Sequence, residues 1–343
     1  MKKYTVAVVG ATGAVGQEMI RVLESRQFPI ERLVPLASEK SAGTTVEFGG
    51  KHITVEKLTH SSFADNHIEI ALFSAGGDVS AEFAPSAAKA GAVAIDNTSH
   101  FRMHESVPLV VPEVNPEDIK LWKTTGIIAN PNCSTIQMVI ALKPLHDEWE
   151  IERIDVSTYQ AVSGAGARAM QELMDQMQSI FTFNFDAFEP KKFPHKIALN
   201  AIPHIDKFEA NGYTKEELKM VNESQKIMHH KMQISATCVR VPVLRGHSEA
   251  ITVRFKNEAS ALKAVELLQK ARDVVIMDDN SKNHYPTPLA STDKDEVFVG
   301  RIRADIYDKK TLHFWVVADN LRVGAATNAV RIAEKWIETE GAK

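Results

Sequence analysis

The hexapeptide Asn130-Pro131-Asn132-Cys133-Ser134-Thr135 follows the apolar run Gly126-Ile127-Ile128-Ala129 and leads into the helical pattern Thr135-Ile136-Gln137-Met138-Val139-Ile140-Ala141-Leu142. Cys133 is therefore expected where a strand turns into a helix. Unpaired backbone N–H groups and the positive end of the helix dipole favour a thiolate there. A thiolate at a strand-to-helix turn is placed for covalent catalysis. The competing reading is a small core residue, since free cysteine is among the most buried types.

A second motif opens the chain. The strand-like run Tyr4-Thr5-Val6-Ala7-Val8-Val9 meets Gly10-Ala11-Thr12-Gly13-Ala14-Val15-Gly16 and then a helical pattern over 14–26. Glycines at such a turn let a pyrophosphate approach the backbone at a helix N-terminus. The spacing is G-x-x-G-x-x-G rather than G-x-G-x-x-G, and a structural turn is the alternative. After the second strand come Ser38, Lys40 and Ser41, which suit a ribose 2′-phosphate and hence NADP. Glu39 is the contrary signal, because an acid at this place usually bonds the free ribose hydroxyl.

The elements that carry these motifs alternate through the first third. Strand patterns at 4–9, 33–37, 53–58, 69–74 and 92–97 are separated by helical patterns at 14–26 and 79–90. This predicts a doubly wound parallel sheet whose ligands sit at the carboxyl ends of its strands. Beyond the Cys133 helix the strands alternate in polarity, at 154–160, 234–243, 250–255, 297–306 and 312–317, with helical patterns at 168–180, 215–230 and 259–271. A mixed sheet with helices on one face is expected. Residues 181–213 lack periodicity and read as a functional or interface loop. The chain is thus an α/β protein: a Rossmann-like domain of residues 1–132, completed by a C-terminal helix at 324–343, and an α+β domain of 133–323.

Composition narrows the class. With 343 residues, 44% hydrophobic and 24% charged, two globular domains are the natural expectation. A formal net charge of −4 gives no basic footprint for nucleic acid. No apolar stretch reaches membrane-spanning length. Cys133 and Cys238 are the only cysteines, which suits a reducing cytoplasm. No metal-ligand cluster is apparent; His229 and His230 are adjacent in a helix, so their rings diverge.

Taken together, the glycine loop, Ser38-x-x-Ser41-Ala42-Gly43, the Cys133 hexapeptide, Gln160-Ala161-Val162-Ser163-Gly164-Ala165-Gly166, Val239-Arg240-Val241-Pro242-Val243 with Gly246-His247, and Asp319-Asn320-Leu321-Arg322 with Gly324-Ala325-Ala326 resemble aspartate-β-semialdehyde dehydrogenases. The resemblance runs from the first strand to the last helix. The compact segment from Arg240 to His247 is closest to the Gram-positive-type bacterial branch. The resemblance implies NADP-dependent reductive dephosphorylation of L-aspartyl 4-phosphate to L-aspartate 4-semialdehyde, toward lysine, threonine, methionine and isoleucine. It implies a homodimer whose second domain forms the interface.

It also distributes roles. Cys133 forms a thioester, His247 serves as acid/base, and Gln160 orients the acyl group. Arg102 and Lys226 bind phosphate, Arg240 the substrate carboxylate and Glu223 its amino group, with Asn132 beside the nucleophile. Gly10, Thr12, Gly13, Ala14, Val15, Ser38, Ser41, Ser163, Gly164 and Asn320 hold the cofactor. From residue types alone, His100 and His204 compete with His247, Arg240 could be a solvated strand residue, and Glu223 with Lys226 an exposed ion pair. N-acetyl-γ-glutamyl-phosphate reductase is the nearest rival. A non-redox thiol acyltransferase is the rival of another class, and the glycine loop argues against it.

Overall fold

The computed structural model describes residues 2–341 and divides into two compact units, residues 1–132 with 325–343, and 133–324. The first unit begins with β1 (Tyr4–Val9), α1 (Ala14–Ser25) and β2 (Ile30–Ala37), followed by β3 (Thr45–Phe48), β4 (Lys51–Thr54) and β5 (Glu56–Lys57). Then come α2 (Ser62–Asp65), β6 (Ile70–Phe73), α3 (Gly77–Lys89), β7 (Val93–Asp96) and β8 (Ile127–Ala129). Six strands form one sheet in the order β5-β2-β1-β6-β7-β8, parallel throughout. Strand order reverses between β1 and β6, where doubly wound sheets bind their ligands.

The second unit contains α4 (Cys133–Trp149), β9 (Ile151–Gln160), α5 (Ala167–Phe181), α6 (Lys215–Met228), β10 (Gln233–Arg240) and β11 (His247–Phe255). It continues with α7 (Ala261–Lys270), β12 (Val274–Ile276), α8 (Pro288–Ser291), β13 (Val297–Ala304) and β14 (Thr311–Ala318). Its sheet runs β10-β9-β11-β14-β13-β12, with both parallel and antiparallel pairs. Along β11 the residues His247, Glu249, Ile251, Val253 and Phe255 are buried, which is the period-2 phase of a half-covered sheet. The last helix, α9 (Thr327–Thr339), packs Ala329, Val330, Ile332, Ala333 and Trp336 into one core with Tyr4, Val6 and Val8 of β1 and Met19 of α1.

The expected α/β class and both sheet types are therefore present. Local boundaries differ. The single strand expected at 53–58 is broken at Val55 into β4 and β5, and β4 pairs with β3 in a hairpin the sequence reading lacked. Gly49 and Gly50 close that hairpin with positive φ, 61° and 70°. The strand expected to reach 243 ends at Arg240, and the one expected from 250 begins at His247. The aperiodic segment is partly buried: Ile197, Ala198 and Ile202 pack with Val162, Ala169 and Leu173.

Candidate active site

In the first unit, α1 starts without a side-chain cap at Gly13 and with no acid in its first turn. Its orphan N–H groups stay available to an anion. Gly10 has φ +85°, and a Cβ there would lie 3.0 Å from Ala75, two residues beyond β6. A Cβ on Gly16 would lie 2.2 Å from the Gly10 carbonyl oxygen, so helix and strand are held too close for any side chain. Thr12 Oγ1 donates to Ser41 Oγ at 3.4 Å, joining the glycine loop to the turn after β2. Glu39, the contrary signal in that turn, forms an exposed ion pair with Lys57 at 3.1 Å. These residues fit a dinucleotide.

Arg102, also in this unit, is buried and oriented by carbonyls: Nε donates to Asn130 O and Nη2 to Asn97 O, both at 2.9 Å. Asn130 is itself pinned, its Nδ2 donating to Asn97 Oδ1 at 2.6 Å. Beneath them Asp96 accepts from Ser80 Oγ (2.7 Å), Thr98 N and Thr98 Oγ1 (both 2.9 Å). Asn132, the last residue of this unit's first segment, is buried.

The second unit begins with Cys133, half-buried and the first residue of α4. Gly324 gives it room, since a Cβ there would sit 2.6 Å from the Cys133 Cβ. Gln160, at the end of β9, is buried; its Nε2 donates to Ser134 Oγ at 2.8 Å, Thr158 Oγ1 at 3.3 Å and Glu216 Oε1 at 3.3 Å. His247 is fully buried and accepts at Nδ1 from Ala161 N at 3.0 Å. That bond puts the proton of the neutral ring on Nε2, which has no protein partner. Burial, and then the Arg240 charge, pull the His247 pKa down to about 3, so the ring is neutral across the physiological range.

Arg240 is buried too, and donates from Nη1 to Ala161 O at 2.7 Å. Its backbone exchanges hydrogen bonds with Ile202, at 2.8 and 2.9 Å, so the aperiodic segment fixes it. Burial lowers its pKa, while the nearby Glu216, and after it Cys133, oppose that shift. A Cβ on Gly164 would lie 3.1 Å from Arg240 Nη1 and 3.4 Å from His247 Nε2. Ser163 and Asn320 are joined, Asn320 Nδ2 donating to Ser163 Oγ at 2.9 Å, and Asn320 Oδ1 accepts from Gly246 N at 2.9 Å. Buried Asp319 sets that loop: it accepts from Leu321 N (2.9 Å), Arg322 N (3.3 Å) and Asp293 N (2.8 Å), and pairs with Arg245 Nε at 2.7 Å.

On α6, whose start carries a Thr214–Glu217 capping box, Glu223 is buried and Lys226 half-buried. An exposed intrahelical pair is thereby ruled out for Glu223. Arg240 is likewise no solvated strand residue. Of the competing histidines, His100 is exposed and His204 stacks on Phe208. Glu216 was missed by sequence reasoning; it is buried, contacts Gln160, pairs with Lys219 at 3.0 Å and bears on both Arg240 and His247. Nothing in its helical pattern marks it apart from Glu217 beside it.

Comparison with known proteins agrees with this geometry. A family profile described as "Semialdehyde dehydrogenase, NAD binding domain" matches residues 5–122, and one described as "Semialdehyde dehydrogenase, dimerisation domain" matches 142–323. The chain is 62% identical to the aspartate-semialdehyde dehydrogenase of Campylobacter jejuni over 98% of each chain. It is 51% identical to that of Bacillus subtilis over 96% of each. Among solved structures, aspartate semialdehyde dehydrogenase II complexed with ASA from Vibrio cholerae has a TM-score of 0.95 at 47% identity, covering 99% of this chain and 100% of that one. An aspartate semialdehyde dehydrogenase with NADP from Candida albicans has a TM-score of 0.75 at 25% identity over 98% of each chain. A glycine loop shaped for a nicotinamide dinucleotide, a helix-terminal cysteine and this full-length likeness lead to one conclusion: the chain belongs to the aspartate-semialdehyde dehydrogenase family.

Proposed function

We infer that this chain converts L-aspartyl 4-phosphate to L-aspartate 4-semialdehyde and inorganic phosphate, in amino-acid biosynthesis, through a thioester on Cys133. The observation that carries the reading is a half-buried thiol at the start of α4 in the same unit as a buried neutral histidine and a buried arginine. The Cys133 thiolate attacks the acyl phosphate carbonyl; the S–C bond forms, the C–O bond to phosphate breaks and phosphate leaves with its electron pair. A nicotinamide cofactor would supply the hydride for reducing the thioester to the aldehyde, with the Cys133 thiolate as the leaving group.

His247 offers its Nε2 proton to the carbonyl oxygen as negative charge develops there, and Nδ1 holds the ring in that tautomer. Gln160, held by Ser134 and Glu216, orients the acyl group. Arg240 binds the substrate carboxylate with its planar fork, and Glu223 the amino group. Arg102 and Lys226 bind the phosphate. Asn132 precedes the nucleophile and lines its approach.

Gly10, Thr12, Gly13, Ala14 and Val15 would hold the dinucleotide; Ser163, Gly164 and Asn320 would contact the nicotinamide. The cofactor is NADP: Ser38 and Ser41 take the 2′-phosphate, and the Lys57 ion pair draws the Glu39 charge away from repelling it. The chain works as a homodimer through its dimerisation domain, in the cytoplasm; among the described residues no helix is long and apolar enough to cross a membrane.

The test is NADP reduction with L-aspartate 4-semialdehyde, with and without inorganic phosphate. Phosphate-dependent reduction is expected. Faster turnover with N-acetylglutamate semialdehyde would favour the neighbouring reductase, and no NADP reduction at all would favour a non-redox thiol enzyme.

A further inference from the structure

Glu249 is fully buried and has no part in the chemistry above. It stands two residues after His247 on β11, so the two side chains project from the same face of the sheet. Across the ladders it is flanked by Val316 of β14 and Thr158 of β9. Asp96 and Asp319, equally buried, are fed by several donors, but no donor reaches either Glu249 oxygen in hydrogen-bonding geometry, and the Gln137 carboxamide is the one polar group that bears on it. Burial pushes its carboxyl well above the ordinary range, opposed only by the carboxamide of Gln137. A carboxyl buried without a donor or a cation favours its neutral form, and the O–H of that form is a hydrogen-bond donor.

Gln137 is the matching half. It is fully buried on α4, one turn after Cys133, and so on the same side of that helix. Its Nε2 donates to the backbone carbonyl of His247 at 3.4 Å, while its Oε1 lacks a donor. An orphan acceptor beside a carboxyl O–H has one arrangement that satisfies both.

We propose that Glu249 and Gln137 are positioning residues: the Glu249 O–H is directed to Gln137 Oε1, which turns the Gln137 nitrogen to the His247 carbonyl and fixes the first turn of the Cys133 helix against the strand end that carries His247. The inference rests on reading Cys133 and His247 as the reacting pair.

Four variants test it, with kcat, the KM values for semialdehyde and phosphate, and the rate of Cys133 alkylation by iodoacetamide as readouts. Glu249→Gln keeps a donor and should hold kcat within about twofold of wild type. Glu249→Leu and Gln137→Leu should each lower kcat by about tenfold, the worth of one buried hydrogen bond, leave both KM values near wild type, and shift the alkylation rate. Infrared spectra of the wild type should show a protonated-carboxyl band that Glu249→Gln removes.

A wild-type kcat in Glu249→Leu, a loss in Glu249→Gln as large as in Glu249→Leu, or no such infrared band would overturn the proposal. If Glu249→Leu does not fold, Gln137→Leu and the infrared band decide. Cys133→Ser separates the two layers. An inactive Cys133→Ser with an unaffected Glu249→Leu sinks only this inference, whereas an active Cys133→Ser sinks the reading beneath it.

Discussion

His247 and Arg240 are both fastened to one residue, Ala161. Its N–H donates to His247 Nδ1 at 3.0 Å and its carbonyl accepts from Arg240 Nη1 at 2.7 Å. Ala161 follows Gln160, the last residue of β9, so His247, Arg240 and Gln160 all hang on the end of one strand. A shift of Ala161 would therefore move the anchors of His247 and Arg240 together.

Gly164 tests that coupling. A methyl at this position would press on Arg240 Nη1 and His247 Nε2 together, at 3.1 and 3.4 Å. Gly164→Ala should lower kcat/KM by about tenfold or more, because sub-ångström misplacement of catalytic groups is costly. Its Tm should change little. Unchanged kinetics would mean the two side chains relax freely.

The two cysteines should behave oppositely. Cys133→Ser is expected to fold and bind NADPH but lose nearly all turnover, since a hydroxyl at neutral pH is a far poorer nucleophile. Cys238 is buried with its thiol pushed up, first by burial and then by Glu216, so Cys238→Ser should stay within about threefold of wild type. Mass spectrometry of the trapped acyl-enzyme locates the adduct; finding it on Cys238 would reverse the assignment.

The two anion sites should separate kinetically. Arg102→Leu should raise KM for phosphate more than for semialdehyde, and Arg240→Leu the reverse. Each removes a buried charged contact worth about 2–5 kcal/mol. Equal effects on both substrates from both variants would refute the map while leaving the family intact.

Cofactor choice should follow the turn after β2. Removing both hydroxyls of Ser38 and Ser41 should weaken NADP binding by about tenfold and leave NAD nearly unchanged, read by fluorescence titration of each reduced cofactor. Lys57→Ala should weaken NADP as well, by releasing the charge of Glu39. Parallel losses for both cofactors would show that these residues only shape the turn.

Stability should carry a histidine signature in acid. The His247 pKa falls from 6.5 to about 3 on folding, with Arg240 of β10 lowering it further and Glu216 of α6 opposing. Between those two values the unfolded chain binds more protons than the folded one, so this group makes stability rise with pH from about 3 to 6.5 and level off above. His247→Gln should flatten that part of the Tm profile. An identical slope in the variant would mean that other groups control acid unfolding.

The sequence made much of this legible where spacing is tied to backbone geometry. The glycine loop is readable because Gly10 and Gly16 tolerate no side chain. Cys133 is readable because a strand and a helix flank it on each side. The β3–β4 hairpin carried a signal in Gly49-Gly50, between two four-residue strands, of which β3 alternates (Thr45-Val46-Glu47-Phe48) and β4 (Lys51-His52-Ile53-Thr54) has one apolar residue. His247 appeared to stand beyond a strand because Pro242 and Gly246 punctuate the segment; in fact it opens β11. Gln137 and Glu249 were illegible as a pair, being polar residues on otherwise apolar phases of a helix and a strand distant in sequence. Only the fold brings Gln137 to β11, through its bond to the His247 carbonyl two residues before Glu249.

Asp319 has a consequence beyond geometry. Three backbone N–H groups and the Arg245 guanidinium converge on its carboxylate, so the anchors of the loop that presents Asn320 all come from the chain itself. The conformational entropy of that loop is lost during folding, not on association. Ligand affinity at Asn320 is thus partly set by how well residues remote from the ligand survive heat and acid, and loosening Asp319 should show up as a more unfavourable binding entropy before any contact to the ligand is removed.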